Sequence, residues 1–182
     1  MTDPLAPASH DPAGPTHEGA VTPALREGRF EGPGEFADMI RAALAHAARD
    51  GWPEIIMTDA DFMNWPLGER SVVQSLNDWA KSGRRLTMLA RQYDGVIRRH
   101  ARFVNWRGTW SHIIDCRAIR TLPESDFPSS LWSPAWCFQQ LDLDHRTGIA
   151  GTEPARRVRL KERLAEHLLN SSPAFPATTL GL

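Results

Sequence analysis

Lysine is nearly missing from this chain. Only Lys81 and Lys161 occur among 182 residues, so mechanisms that need an ordered primary amine have few candidates. Cysteine is as scarce: Cys116 and Cys137 are too few for a disulfide framework, and in a reducing compartment each reads most simply as a small buried apolar side chain. No run approaches the roughly 18 to 20 apolar residues that a membrane helix needs, which argues against a membrane partner. The opening MTDPLAPASHDPAG lacks the basic start and apolar block of a secretory signal, so a soluble, cytoplasmic protein is expected. A net charge of −1 argues against wholesale coating of a polyanion.

The charge that is present is unevenly spread. Through residue 69 acidic residues dominate, opposed only by Arg26, Arg29, Arg41 and Arg49. Between residues 84 and 120 the sign reverses, with Arg84, Arg85, Arg91, Arg98, Arg99, Arg102, Arg107, Arg117 and Arg120 facing only Asp94 and Asp115. Within this stretch, RQYDGVIRRHARFVNWRGTW interleaves Arg91, Arg98, Arg99, Arg102 and Arg107 with Tyr93, Phe103, Trp106 and Trp110. Arginine forks grip phosphate and aromatic rings stack on bases, so one reading is a phosphate- or nucleic-acid-binding face. The other is a helix whose aromatics are core and whose arginines are solvated or paired with the acidic first half.

Residues 1–33 are rich in Pro, Gly, Ala, Ser and Thr without apolar periodicity and are expected to be a disordered tail. Residues 34–172 should form one α/β domain, and 173–182 a C-terminal tail in which Phe175, Leu180 and Leu182 are available to dock. EFADMIRAALAHAARD and SVVQSLNDWAKSG have helical spacing, the second with Gly83 placed as its C-cap. YDGVIRRHARFVNW predicts one helix presenting Tyr93, Val96, Ile97, His100, Phe103 and Val104. ARRVRLKERLAEHLLNSS predicts the closing helix, with Val158, Leu160, Leu164, Leu168 and Leu169 as its apolar residues. EIIMT, RLTMLA, WSHIIDCRA and WCFQQLDL read as strands, and residues 121–134 as a Pro/Ser-rich loop. Alternation of helix and strand implies a layered α/β fold with a mixed or mostly parallel sheet flanked by helices.

Asp59 and Asp61 close the EIIMT strand in a D-x-D pattern. One reading is a magnesium-dependent, haloacid-dehalogenase-like phosphohydrolase, the first aspartate being nucleophile and the second general acid. Thr87 and the pair Asp142 and Asp144 supply further parts, but no lysine lies between Lys81 and Lys161. The other reading is a turn capped by Asp59 or Asp61 while Phe62, Trp65 and Leu67 pack. For a soft metal, His112, Cys116, Cys137 and His145 are the only candidates. On an extended strand His112 and Cys116 stand about 13 Å apart, too far for one zinc, so neither metal nor other cofactor is expected.

A strand ending in a polar pair, a helix, SGRRLTMLA, a helix, a short strand, a strand leading into D-x-x-x-G and a terminal helix together resemble one half of the phospholipase-D-like superfamily, over residues 35–172. The chain is also similar to uncharacterised bacterial proteins of a degenerate type of this family. In active members H-x-K-x-x-x-x-D carries the reaction. Laid with its aspartate on Asp144, the motif puts Cys137 in place of the attacking histidine and Gln139 in place of the phosphate-binding lysine. The resemblance therefore implies a half-domain fold without the inherited catalysis, because neither a buried thiol nor an uncharged amide replaces imidazole and ammonium. It also implies a homodimer, since single-motif members pair two chains.

Overall fold

A computed structural model describes residues 23–82 and 84–177. The expected C-cap at Gly83, and Leu180 and Leu182, lie outside the described residues.

The first regular helix, α1 (Gly32–Asp50), carries Pro33 in its first turn and stops at Gly51, whose φ of 68° is a left-handed conformation that glycine adopts without strain. It buries Phe36, Met39, Ile40, Ala43, Leu44 and Ala47, as the spacing requires. Strands β2 (Glu54–Thr58), β3 (Arg85–Ala90) and β4 (Ile114–Ala118) run parallel. They are linked by α2 (Arg70–Ala80) and then by α3 (Asp94–Arg99) and α4 (Ala101–Thr109).

Four further strands pair antiparallel along the chain's edges and hairpins: β1 (Gly28–Phe30), β5 (Ser130–Trp132), β6 (Cys137–Asp142) and β7 (Thr147–Gly151). With β8 (Ser172–Pro173) on β4, they complete an eight-stranded mixed sheet in the order β1-β7-β6-β5-β2-β3-β4-β8.

Side-chain alternation divides the core. Ile55, Met57, Leu86, Met88, Leu131 and Phe138 point to the side covered by α1, α2, α3 and α4. Their neighbours Ile56, Trp132 and Cys137 pack on the other side against Leu160 and Leu164 of the closing helix, α5 (Pro154–Leu169). The protein is thus a layered α/β fold with helices on both faces of a mixed sheet.

Several expectations are corrected. The N-terminal segment is ordered before residue 34: Phe30 is fully buried against Phe36 and Phe138, and this anchors β1 on β7. At the other end Ser172 and Pro173 pair with β4 and the Ala174 N–H donates to the Cys116 carbonyl, so the sheet extends past residue 172; Phe175, which was available to dock, stacks on Tyr93. Ser111–Ile113 is a 3₁₀ turn rather than strand, so β4 starts at Ile114. The helix expected over 93–106 is broken at His100, where φ −120° and ψ 50° leave helical space while the ring Nε2 bonds the Phe62 carbonyl. Ile97 is consequently 51% exposed, and Val158 and Leu169 of α5 are 56% and 86% exposed.

Candidate nucleic-acid interface

Asp59 follows β2 and is occupied by its own loop. Its Oδ1 accepts the N–H groups of Asp61 (3.2 Å) and Phe62 (2.9 Å), and its Oδ2 accepts the Trp65 indole N–H (3.0 Å) and the Ser129 hydroxyl (2.7 Å). These four bonds hold the turn over the fully buried Phe62, whose φ of 57° the turn imposes. Among the described residues Asp61 accepts only the Met63 N–H. The remaining parts of a phosphohydrolase are not gathered here. Thr87 is level with Ile56, three residues below Asp59, which is about 10 Å along the strand. Asp142 ends β6 and Asp144 lies in the turn that follows, where Asp142 accepts the N–H groups of Asp144 and His145.

The positions that the resemblance assigns to H-x-K-x-x-x-x-D are separated too. Cys137 is fully buried beneath α5, and desolvation pushes its thiol up to about 11. Gln139 shares that strand face by alternation, whereas Asp144 is exposed in the turn beyond the strand's end. Cys116 lies on β4, four strands away from Cys137 and so roughly 19 Å distant, which rules out a shared ion. A different imidazole does meet cations: His112 lines an open cleft with Arg84 and Arg85 at the N-terminal ends of the parallel strands. The ring lies tilted against the Trp110 indole at 5.9 Å, and Glu54 and Asp115 share the cleft. Trp132 lines a groove of about 420 Å³ along α5 under Lys161, while Trp136 is in the core.

The five arginines of the basic segment have three different fates. Arg107 is only 5% exposed. Its Nε donates to Cys116 Sγ (3.2 Å), its guanidinium carbon lies 4.6 Å over the Phe175 ring, and Nη1 has no partner among the described residues. Burial pushes the Cys116 thiol up, an effect that Arg107 opposes. Arg107 thus latches the C-terminal segment and is unavailable to an external phosphate. Arg91 follows β3 and is half-buried at the strand ends.

Arg98, Arg99 and Arg102 are exposed around the α3–α4 break. The acidic first half does not neutralise them: Arg41 binds Glu69 (2.7 Å), Arg26 binds Glu35 (2.9 Å), Arg49 binds Asp50 (2.6 Å) and Lys161 binds Glu54 (2.9 Å). Among the described residues, Arg98 and Arg102 reach only the Asp94 and Gly68 carbonyls, respectively.

Arg102 also opens onto a groove of about 320 Å³ between α2 and α4, shared with Arg70, Asn77, Asn105, Trp106 and Trp110. The Trp110 indole donates to Asn77 (3.2 Å), whereas the Trp106 indole nitrogen is buried without a partner among the described residues. Arg70, which sequence reading passed over, joins this set only because α2 packs on α4. At the break, burial lowers the His100 pKa by disfavouring imidazolium.

Fold and surface together describe an α/β protein with an exposed basic helical ridge beside a groove lined by amides, arginines and two tryptophans. No protein-family model matches the chain, and no curated protein matches it. Among solved structures the fold is similar to TrmBL2, described as an archaeal chromatin protein that shows a novel mode of DNA binding. The likeness has a TM-score of 0.56 at 13% identity, covers 87% of this chain, and spans 56% of that one, a little over half its length.

Proposed function

We propose that this chain is a binding module of phospholipase-D-like half-domain architecture that takes nucleic acid on the ridge formed by Arg98, Arg99 and Arg102, with Arg70 across the groove. The observation that carries this reading is that these guanidiniums stand exposed without carboxylate partners among the described residues, while Glu35, Asp50, Glu54 and Glu69 are taken by other cations. An exposed guanidinium fork makes bidentate contacts with phosphate oxygens, and displaced counterions supply the driving force. Asn77 and Asn105 add amides suited to backbone or base edges. A DNA-binding chromatin protein of similar fold supports the choice of partner. The element order supports the half-domain architecture, and that architecture favours a homodimer.

The test is binding of labelled single- and double-stranded DNA at two salt concentrations. Each phosphate contact should contribute a slope of about −0.9 in log K against log salt on duplex and about −0.7 on single strands. Replacing Arg98, Arg99 and Arg102 with alanine should abolish most of the affinity and flatten the slope. Absence of binding at low salt, or an unchanged slope in the triple variant, defeats the reading.

A further inference from the structure

A further cavity, of about 610 Å³, opens at the C-terminal ends of the parallel strands β3 and β4. This is the end of a parallel α/β arrangement at which ligands generally bind, and the volume suits a small organic molecule. Its lining combines two kinds of surface. Arg91, just after β3, and Arg120, just after β4, bring two guanidiniums to one cavity, and the buried Nε of Arg91 has no partner among the described residues. A cation pair with open donor capacity is matched by a phosphate dianion. Opposite them are Ile97, Val104 and the ring of Phe175.

Phe175 is held by Tyr93, stacked at 4.9 Å, and by Arg107 above it, so it offers an edge rather than a free face. The Tyr93 hydroxyl is within bonding distance of the Met88 and Arg117 carbonyls, and its burial raises its pKa well above the ordinary value, so it acts as a fixed neutral wall. Asp94 on the rim is a hydroxyl acceptor, which disfavours a purely apolar anion.

We infer that this cavity binds a nucleoside monophosphate unit, its phosphate on Arg91 and Arg120, a sugar hydroxyl on Asp94 and the base against Ile97 and Val104. The unit has two sources, a free nucleotide or the phosphorylated end of a strand. The site uses no residue of the α2–α4 groove.

Calorimetric titration of the full chain with adenosine 5′-monophosphate, adenosine, and an oligonucleotide with or without a 5′-phosphate tests this. The phosphate should improve affinity at least about tenfold for the nucleotide, the oligonucleotide or both, and Arg120→Glu should remove that increment. An increment with the nucleotide identifies a free metabolite as a ligand; one with the oligonucleotide alone identifies a strand end. Arg91→Gln gives a second reading should Arg120→Glu unfold.

Equal binding with and without phosphate in both pairs overturns the inference, as does an increment that survives in a folded Arg120→Glu or Arg91→Gln protein. Alanine at positions 98, 99 and 102 should leave the increment intact while weakening unphosphorylated strands, so failure of the ridge and failure of the cavity are separable.

Discussion

Asp59 shows how a residue that looks reactive in sequence is spent in structure. A carboxylate has about four acceptor positions, and four donors already approach this one, two of them from the buried Trp65 and Ser129. A nucleophile requires an oxygen free to attack, so Asp59 is better placed to fix the turn after β2. Asp59→Ala should cost about 2–4 kcal/mol, because it strands a buried indole N–H and a buried hydroxyl. Asp61→Ala, which releases a single exposed amide, should cost less than about 1 kcal/mol. Urea unfolding of the two variants measures this, and comparable losses would refute the assignment. The arginines teach the converse. Sequence placed Arg91, Arg98, Arg99, Arg102 and Arg107 in one set, but helical spacing says nothing of depth, and Arg107 turned inward onto Phe175, a contact 68 residues away in sequence.

At the scale of elements, what was legible followed from pattern length. β2 and β3 are five or six residues of mainly apolar sequence and β6 is six residues led by Cys137 and Phe138, long enough to be recognised, and α1, α2 and α5 carry several turns of periodicity. β1, β5 and β8 have three, three and two residues, and β7 is TGIAG, too short or too glycine-rich to announce itself. Gly148 is demanded by packing: a Cβ there would collide with the Gln139 carbonyl and the Phe30 ring. The α3–α4 break was hidden because periodicity runs straight through it, while the bond from His100 to Phe62 that accompanies the break is a tertiary contact 38 residues away.

That bond has a titratable consequence. Burial keeps the folded His100 pKa below its ordinary value of about 6.5, with Arg99 acting in the same direction and Asp61 and the Phe62 carbonyl against it. The contribution is therefore fully present above about pH 6.5 and is lost as pH falls from there toward the folded pKa, at no more than about 1.4 kcal/mol per pH unit. Denaturant unfolding near pH 7.5 and pH 5.5 should show a larger acid loss in the parent than in His100→Gln. Parallel losses would show that His100 does not titrate on unfolding.

For the molecule as a whole, the two sides of the sheet are unequal. Four helices cover one side, while α5 and the segment with Ile119 and Phe127 cover the other, leaving Val158 exposed beside the groove that Trp132, Pro134 and Pro154 line. The homodimer proposed above would meet across the apolar lining of this groove. Sedimentation at micromolar concentration should give twice the 20.4 kDa chain mass, and Val158→Glu should shift it toward the single chain. A strict monomer for the parent removes that expectation.

The strand order has one more consequence. β1 and β8, near opposite ends of the described chain, are the two outermost strands, separated by seven inter-strand gaps or roughly 34 Å. Each is a short cover over a longer neighbour, β7 on one flank and β4 on the other, both of five residues. Trimming the protein back to its obvious helices and strands would uncover two lengths of unsatisfied backbone, the geometry that recruits foreign strands. The unassuming terminal segments thus serve as the sheet's protection against indiscriminate self-association.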